Sequence, residues 1–409
     1  MGISRGSLVS VLFVLGIVII LTVIYFYPVE EKETSPMGWR MIYGNSQNNC
    51  LSGYNTSGLT GKIIWSKNAE NSIIGALVSG NGRIYLLSGR KIIALNGGNV
   101  LWKSSMNFSS NIPAIDEYGN IYATTMEGQI LSLNENGKIR WIFHFQGFKE
   151  EASAPIIVWN GTVYILTNMG NLYMISYGGN LITKVNLGIK TSLPPAVSPS
   201  GEVYVGFNNW VYVLTTKGNV MRKIELKGEI IRMALYEDEL YVTTVYTEAS
   251  PYPVVKNITS YLFAIGYNGK LKWKINLNDV GAKWGIPAAL GVDEDGVYVG
   301  IKPSALPSGE EKNKTQNHSF IMKFDKQGDL LWKKGFYLVI NGIALSRDGF
   351  LYATFSRYSE MNDEHCKIYA INQNGKILWN LELASSIGAP VIGSYGLYVY
   401  GGNSLYVMG

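Results

Sequence analysis

The sequence predicts an all-β fold: an eight-bladed β-propeller whose N-terminal strand closes the last blade, preceded by one transmembrane helix. Three observations predict it. Short segments rich in Ile, Val, Tyr and Thr alternate with Asn-Gly and Gly-Gly turns, which favours short strands over helices. A word of the form Gly-x-x-x-Trp begins at Gly61, Gly98, Gly137, Gly269, Gly328 and Gly375, with degenerate copies at Gly179 and Gly218. The last strand word, "SLYVMG", is not followed by that glycine word, whereas the seven earlier strand words of its kind are.

Taken in order, residues 1–7 form a short basic N-terminus and residues 8–27 the expected membrane span. Leu8 to Tyr27 carries no charge and as a helix would be about 30 Å long, one hydrocarbon core. A cleaved signal peptide is the alternative, but its apolar stretch is usually about 7–15 residues and ends in small residues, where this one ends in "VIYFYPVEE". Arg5 precedes the span and Glu30, Glu31 and Glu33 follow it, which orients the rest of the chain outside the cytoplasm, in single-pass form at the cell membrane. Residues 28–60 read as a tether and lead-in segment, and residues 61–409 as the propeller.

Within 61–409 four words recur in fixed order. A turn-and-strand word places Tyr85, Tyr122, Tyr164, Tyr204, Tyr241, Tyr298, Tyr352 and Tyr398 at equivalent positions. A second strand word, from "IIALN" to "LYVMG", directly precedes each glycine-and-tryptophan word, and a looser word such as "IPAI" or "APII" opens the unit. Four strands per unit at this period are propeller blades. Blade eight owns three strands at the C-terminus, while "GKIIW" at Gly61 has no three strands before it, so the two ends are expected to complete one another and leave no open edge.

The words "AINQNGKILW" and "ALNGGNVLW" resemble the tryptophan-docking repeat of the pyrroloquinoline-quinone-like (quinoprotein alcohol dehydrogenase-like) propellers, and "GWRMIYGNSQNNC" looks like the segment that leads into their first blade. The resemblance implies that Trp65, Trp102, Trp141, Trp273, Trp332 and Trp379 dock neighbouring blades. Thr183 and Arg222 depart from the pattern, which puts the docking at those blades in doubt. Catalytic members bind the quinone with calcium over the central axis and in many cases carry adjacent cysteines. The only cysteines here are Cys50 and Cys366, and no calcium set can be mapped by motif. Non-catalytic members bind proteins.

Chemistry-bearing motifs are sparse. Asp293 to Gly296, "DEDG", could be half a calcium loop, but it occupies a hairpin position shared with "SGNG" and "SRDG" and reads as a turn. "NDEHC" at Asn362 to Cys366 lacks the three or four ligands of a tetrahedral metal site. With three histidines and no hydrolase or phosphate-loop motif, no enzyme machinery is visible, and no metal or cofactor is expected. Cys50 and Cys366 could pair or stay free. A net charge of +5 without a basic cluster excludes a nucleic-acid footprint.

The functional pointer is the placement of insertions. The connection between second and third strands lengthens at 243–260, 302–319 and 355–366, in consecutive blades five, six and seven, and strand alternation puts all three on one face. The expected partner surface comprises Tyr246, Tyr252, Lys256, Glu310, Glu311, Lys312, His318, Tyr358, Glu364 and His365. The expected role is a membrane-anchored extracytoplasmic protein-binding or scaffold module. The alternatives are a quinone-dependent sugar or alcohol dehydrogenase, or a carbohydrate-binding propeller using Trp159, Trp210 and Trp284. Sequons at Asn55, Asn107, Asn160, Asn257, Asn313 and Asn317 fit an exported glycoprotein.

Overall fold

A computed structural model describes residues 38–237, 239–248, 258–283, 285–304, 319–356, 366–383 and 387–409. The expected span at 8–27 and its tether to residue 37 lie outside them. The described chain from residue 38 is all-β, with thirty-two strands in eight four-stranded antiparallel sheets. Seven blades are built from four consecutive strands. Blade eight combines Val391–Gly393, Gly396–Gly401 and Ser404–Met408 with Ile63–Asn68 as its outer strand, paired Trp65 to Val407 and Ser66 to Tyr406. The closure expected from the two chain ends is therefore formed.

The glycine-and-tryptophan word works across blades. A Cβ on Gly137 would lie 2.7 Å from the Trp102 indole, one on Gly179 2.7 Å from Trp141, one on Gly375 2.8 Å from Trp332, and one on Gly61 2.6 Å from Trp379. Each glycine thus receives the tryptophan of the preceding blade, and its φ near +75 to +90° also requires glycine. The indole N–H then donates to a backbone carbonyl of the receiving turn: Trp102 to Glu135, Trp141 to Tyr177, Trp273 to Lys326, Trp332 to Gln373, and Trp379 to Leu59. Where the tryptophan is missing, Val185 and Thr183 lie against Gly218, and Arg222, paired with Glu202, lies against Gly269. The tyrosines of the second strands are buried behind, as in the Tyr122–Trp141 and Tyr352–Trp379 pairs at 5.8 Å.

Every outer strand carries a β-bulge at the residue before the tryptophan position, for example between Ile63 and Trp65 and between Leu330 and Trp332. A strand otherwise alternates its side chains, so the extra residue explains why two consecutive positions, such as Ile63 and Ile64, are both exposed. The added twist also blunts the outer edge as a pairing template.

Residues 38–52 are more than a lead-in. They run round the axis on the face of the hairpin turns that follow the inner strands, accepting hydrogen bonds from one blade after another. Val78 N–H donates to Trp39, Ile115 to Arg40, Val197 to Ser46, Leu235 to Gln47, Val292 to Asn49 and Leu345 to Cys50, all at 2.7–2.9 Å. In blade three Val158 N–H meets Met41 Sδ at 3.5 Å, and Ser52 Oγ reaches Ile392 O of blade eight. Inner strands present unpaired N–H groups to the axis, and the hub accepts one in each of blades one to seven, while at blade eight it donates to a carbonyl instead. Asn48 and Cys50 adopt φ of 57°, the left-handed turn that bends the hub, and Asn48 and Asn49 add side-chain bonds to Pro195 O and Leu235 O.

On the opposite face the crossover between blades two and three is pinned by Glu150, whose side chain is fully buried. It accepts from Thr167, Asn171, Tyr173 and the Gly147 N–H at 2.6–3.0 Å, with Lys184 at 3.6 Å. Burial opposes its charge, but these hydrogen bonds outweigh that and hold the carboxyl below its ordinary range.

Two predictions follow from closure and pinning. Deleting residues 38–66 removes hub and closing strand together and should abolish the single cooperative melting transition, while Trp379→Ala should cost about 3 kcal/mol in denaturant unfolding. An unchanged transition in the deletion would refute the closure. Because its folded pKa is depressed, Glu150 contributes stability that is complete above the ordinary carboxylate range and is lost as pH falls through the folded value. Glu150→Gln should therefore flatten the acid limb of the stability–pH profile between those two limits.

Candidate functional site

The two faces of the disc differ. The hub covers one, together with the turns after the inner and third strands. The other carries the connections between second and third strands, which are tight in blades three and four, from Leu166 to Asn171 and from Phe207 to Trp210. In blade five the flanking strands lengthen to nine residues each, Glu239–Thr247 and Ile258–Gly266. Blades six and seven follow with Val297–Pro303 to Ser319–Phe324 and Leu351–Ser356 to Cys366–Ile371. All three extended connections leave from the face opposite the hub, as expected from strand alternation.

Of the expected partner residues, Tyr246 is placed at the base of the blade-five connection, half-buried, with Lys227 Nζ 4.8 Å from its ring centroid. Tyr252, Lys256, Glu310, Glu311, Lys312, His318, Tyr358, Glu364 and His365 lie outside the described residues.

Sequence reasoning missed a cavity at the axis. Between the inner strands of blades five to eight, on the same face, opens a funnel of about 430 Å³. Its walls are mostly Ile, Val, Ala, Pro and Gly, and its polar groups are Arg232, Lys302 and Asn341. The inner strands here are long, at seven or eight residues in blades five to seven against two or three in blades two to four. Each of the three bulges at a funnel residue: Ile231, Ala288 and Asn341. Blade one has the same bulge at Ile74. A bulge re-aims a side chain, and here it turns these residues toward the axis.

Arg232 is the deepest charge of the funnel. Its Nη1 donates to Ile231 O at 2.9 Å, its guanidinium lies 5.6 Å from the Tyr43 ring centroid in the hub, and its buried Nε has no hydrogen-bond partner among the described residues. Burial raises the Tyr43 hydroxyl pKa, and the Arg232 charge partly offsets it. Asn341 Nδ2 ties Ser356 Oγ at 2.6 Å to Ile387 O at 2.7 Å, bridging blades seven and eight. Lys302 stands exposed at the rim.

This donor set does not fit a calcium-bound quinone. A calcium ion takes six to eight oxygens, several from carboxylates, whereas among the described residues no Asp or Glu lines the funnel and two cations do. Among the described residues no group of three His, Cys, Asp or Glu side chains could hold a metal. Asp293 caps its own turn, accepting from the Asp295 and Gly296 N–H groups, as the hairpin reading expected. The rest of "NDEHC" before Cys366 lies outside the described residues.

Trp159 ends an inner strand on the hub face, and Trp210 begins a third strand on the opposite one, so they form no common sugar platform. Trp284 lies outside the described residues. The sequon residues Asn55, Asn107 and Asn160 are exposed, and Asn257, Asn313 and Asn317 are outside the described residues. Cys50 and Cys366 are both buried and free, and burial pushes the Cys50 thiol up to about 12.

Comparison with known proteins agrees with this architecture. Residues 90–271 match the family model described as outer membrane protein assembly factor BamB. The crystal structure of BamB from Moraxella catarrhalis is similar at TM-score 0.57 and 12% identity, covering 85% of this chain and 99% of that one. A europium-containing methanol dehydrogenase is similar at TM-score 0.60 and 14% identity, covering 91% of each chain. The computationally designed Ika8 protein is similar at TM-score 0.62 and 13% identity, covering 88% and 99%. No curated protein matches the sequence.

Both thiols should resist an aqueous thiol reagent at pH 8 and titrate fully only after denaturation. Rapid reaction of either in the native protein would contradict their burial.

Proposed function

The chain is a pyrroloquinoline-quinone-like repeat β-propeller, and on that premise we propose that it is a non-catalytic protein-binding scaffold, anchored in the cell membrane by residues 8–27 with the propeller on the extracytoplasmic side. One observation carries the reading: the long connections of blades five, six and seven leave the same face and adjoin the only long, bulged run of consecutive inner strands among the described residues. Structural roles constrain the other blades, and variation concentrated in one sector of a rigid ring is the usual placement of recognition.

Gly38, the first described residue, lies on the hub face against Val78 and Ser79, and the strand ends that lead into the extended connections lie on the opposite face. The described lining of the funnel offers no carboxylate to hold calcium, which weakens a calcium-supported quinone there, and the separation of Trp159 from Trp210 weakens the carbohydrate alternative. The exposed sequons on described loops are compatible with glycosylation of an exported chain.

Photo-crosslinking in native membranes tests the proposal. A photoreactive residue at Tyr252, Lys312 or Tyr358 should yield one discrete protein adduct, and the same group at Met169 or Asn209 on the short connections should yield none. Dye-linked alcohol or sugar oxidation by the protein reconstituted with quinone and calcium would overturn the scaffold reading.

A further inference from the structure

We propose that the axial funnel binds the free C-terminus of a partner polypeptide, its last residue apolar and its carboxylate carried to Arg232. The proposal rests on the reading of this face as the binding face and names what is recognised there. Three features of the funnel lead to it.

First, the funnel has a hub residue at Arg232: the Tyr43 ring lies 5.6 Å from the guanidinium that lines the cavity, and the hub runs round the axis on that side, so a chain end entering from the open face meets Arg232 before the hub. Second, its charge is one-signed among the described residues: Arg232 within and Lys302 at the rim, with no Asp or Glu in the lining. Arg232 lines the cavity with Nη1 given to Ile231 O, and no carboxylate among the described residues pairs with its guanidinium. Guanidinium and carboxylate match in both charge and fork geometry. Third, the remaining walls, including Ile231, Pro287, Ala288 and Ala389, are apolar, and the volume of about 430 Å³ falls in the range of pockets that enclose small ligands. Capture of a terminal carboxylate by a fixed cationic group, with apolar walls for the last side chain, is an established mode of peptide recognition.

The bulges supply the positioning. Ile231 and Asn341 are the extra residues of their inner strands, and the bulge at Ile231 directly precedes Arg232. Asn341 fixes the wall between blades seven and eight through Ser356 and Ile387.

The test uses the full chain in nanodiscs and isothermal titration with an acetylated pentapeptide ending in Ala-Leu-Phe, as free acid and as C-terminal amide, beside 3-phenylpropanoate as a small acid. The free-acid peptide should bind about tenfold or more tightly than its amide, and Arg232→Gln should remove that preference. Lys302→Gln should lower affinity by only about two- to threefold and reduce its salt dependence. Because Arg232 also contacts Tyr43, Ala288→Trp provides an independent check: it should block the funnel and abolish binding with Arg232 intact. Equal binding of acid and amide, or undiminished binding to both Arg232→Gln and Ala288→Trp, overturns the proposal. Binding of 3-phenylpropanoate without the peptide overturns the polypeptide as occupant. Should the loop crosslinks form while no carboxylate binds, the scaffold reading stands and this inference fails.

Discussion

Blade docking by a tryptophan seated on a glycine is the constraint on which the rest of the structure depends. The indole of one blade lies where any side chain on the next blade's glycine would have to be, and its N–H satisfies a carbonyl of the same turn. One contact therefore excludes water, fixes the separation of two sheets and pairs a polar group. Because glycine and tryptophan belong to the same outer strand, each blade presents a receiving glycine and six dock a tryptophan on the next, while Val185 of blade three and Arg222 of blade four take the indole's place, so the contact propagates round the disc. The turn residues that accept from the indole add a second link to the preceding blade: Glu135 pairs with Arg83, Tyr177 donates to Glu117, Gln373 donates to Asp295, and Lys326 lies 4.1 Å from the Tyr236 ring centroid.

Such a chain of contacts is only as good as its closure, and the protein closes it twice. At the rim, Ile63–Asn68 completes blade eight, so that Gly61 receives Trp379 while Trp65 lies beside Gly98 of blade one. At the axis, residues 38–52 accept hydrogen bonds from the inner strands in turn. The two closures lie in one short segment and oppose different failures. The outer strand removes an unpaired sheet edge, and the hub satisfies donors that the narrow axis would otherwise strand. Left-handed Asn48 and Cys50 are the conformational cost of bending a chain so tightly around the axis.

Against that symmetry, one sector departs. Blades five to seven have longer inner strands, bulges at corresponding positions and extended connections, all on the face away from the hub. Blade docking does not require these changes, since Trp273 and Trp332 dock as the others do. The rim and the hub hold the scaffold, so this sector can vary in its loops and axial lining without opening the ring. The funnel between these inner strands is where the departures converge.

The sequence by itself determined the blade count, the strand order and the closing strand. Those follow from words that must recur, because each blade repeats one local problem: a glycine to receive an indole, a tyrosine to fill behind it, a turn of fixed length. It also located the three long connections, since insertions show directly against a repeat. Only the tertiary structure decided the hub and the funnel. "GWRMIYGNSQNNC" has no periodicity of its own, because its eight partners come from eight different blades, and its asparagines gave only a composition signal. Arg232 was equally silent, an isolated arginine in a strand word, until a bulge and the closure of the ring turned it toward an axis that no stretch of sequence contains.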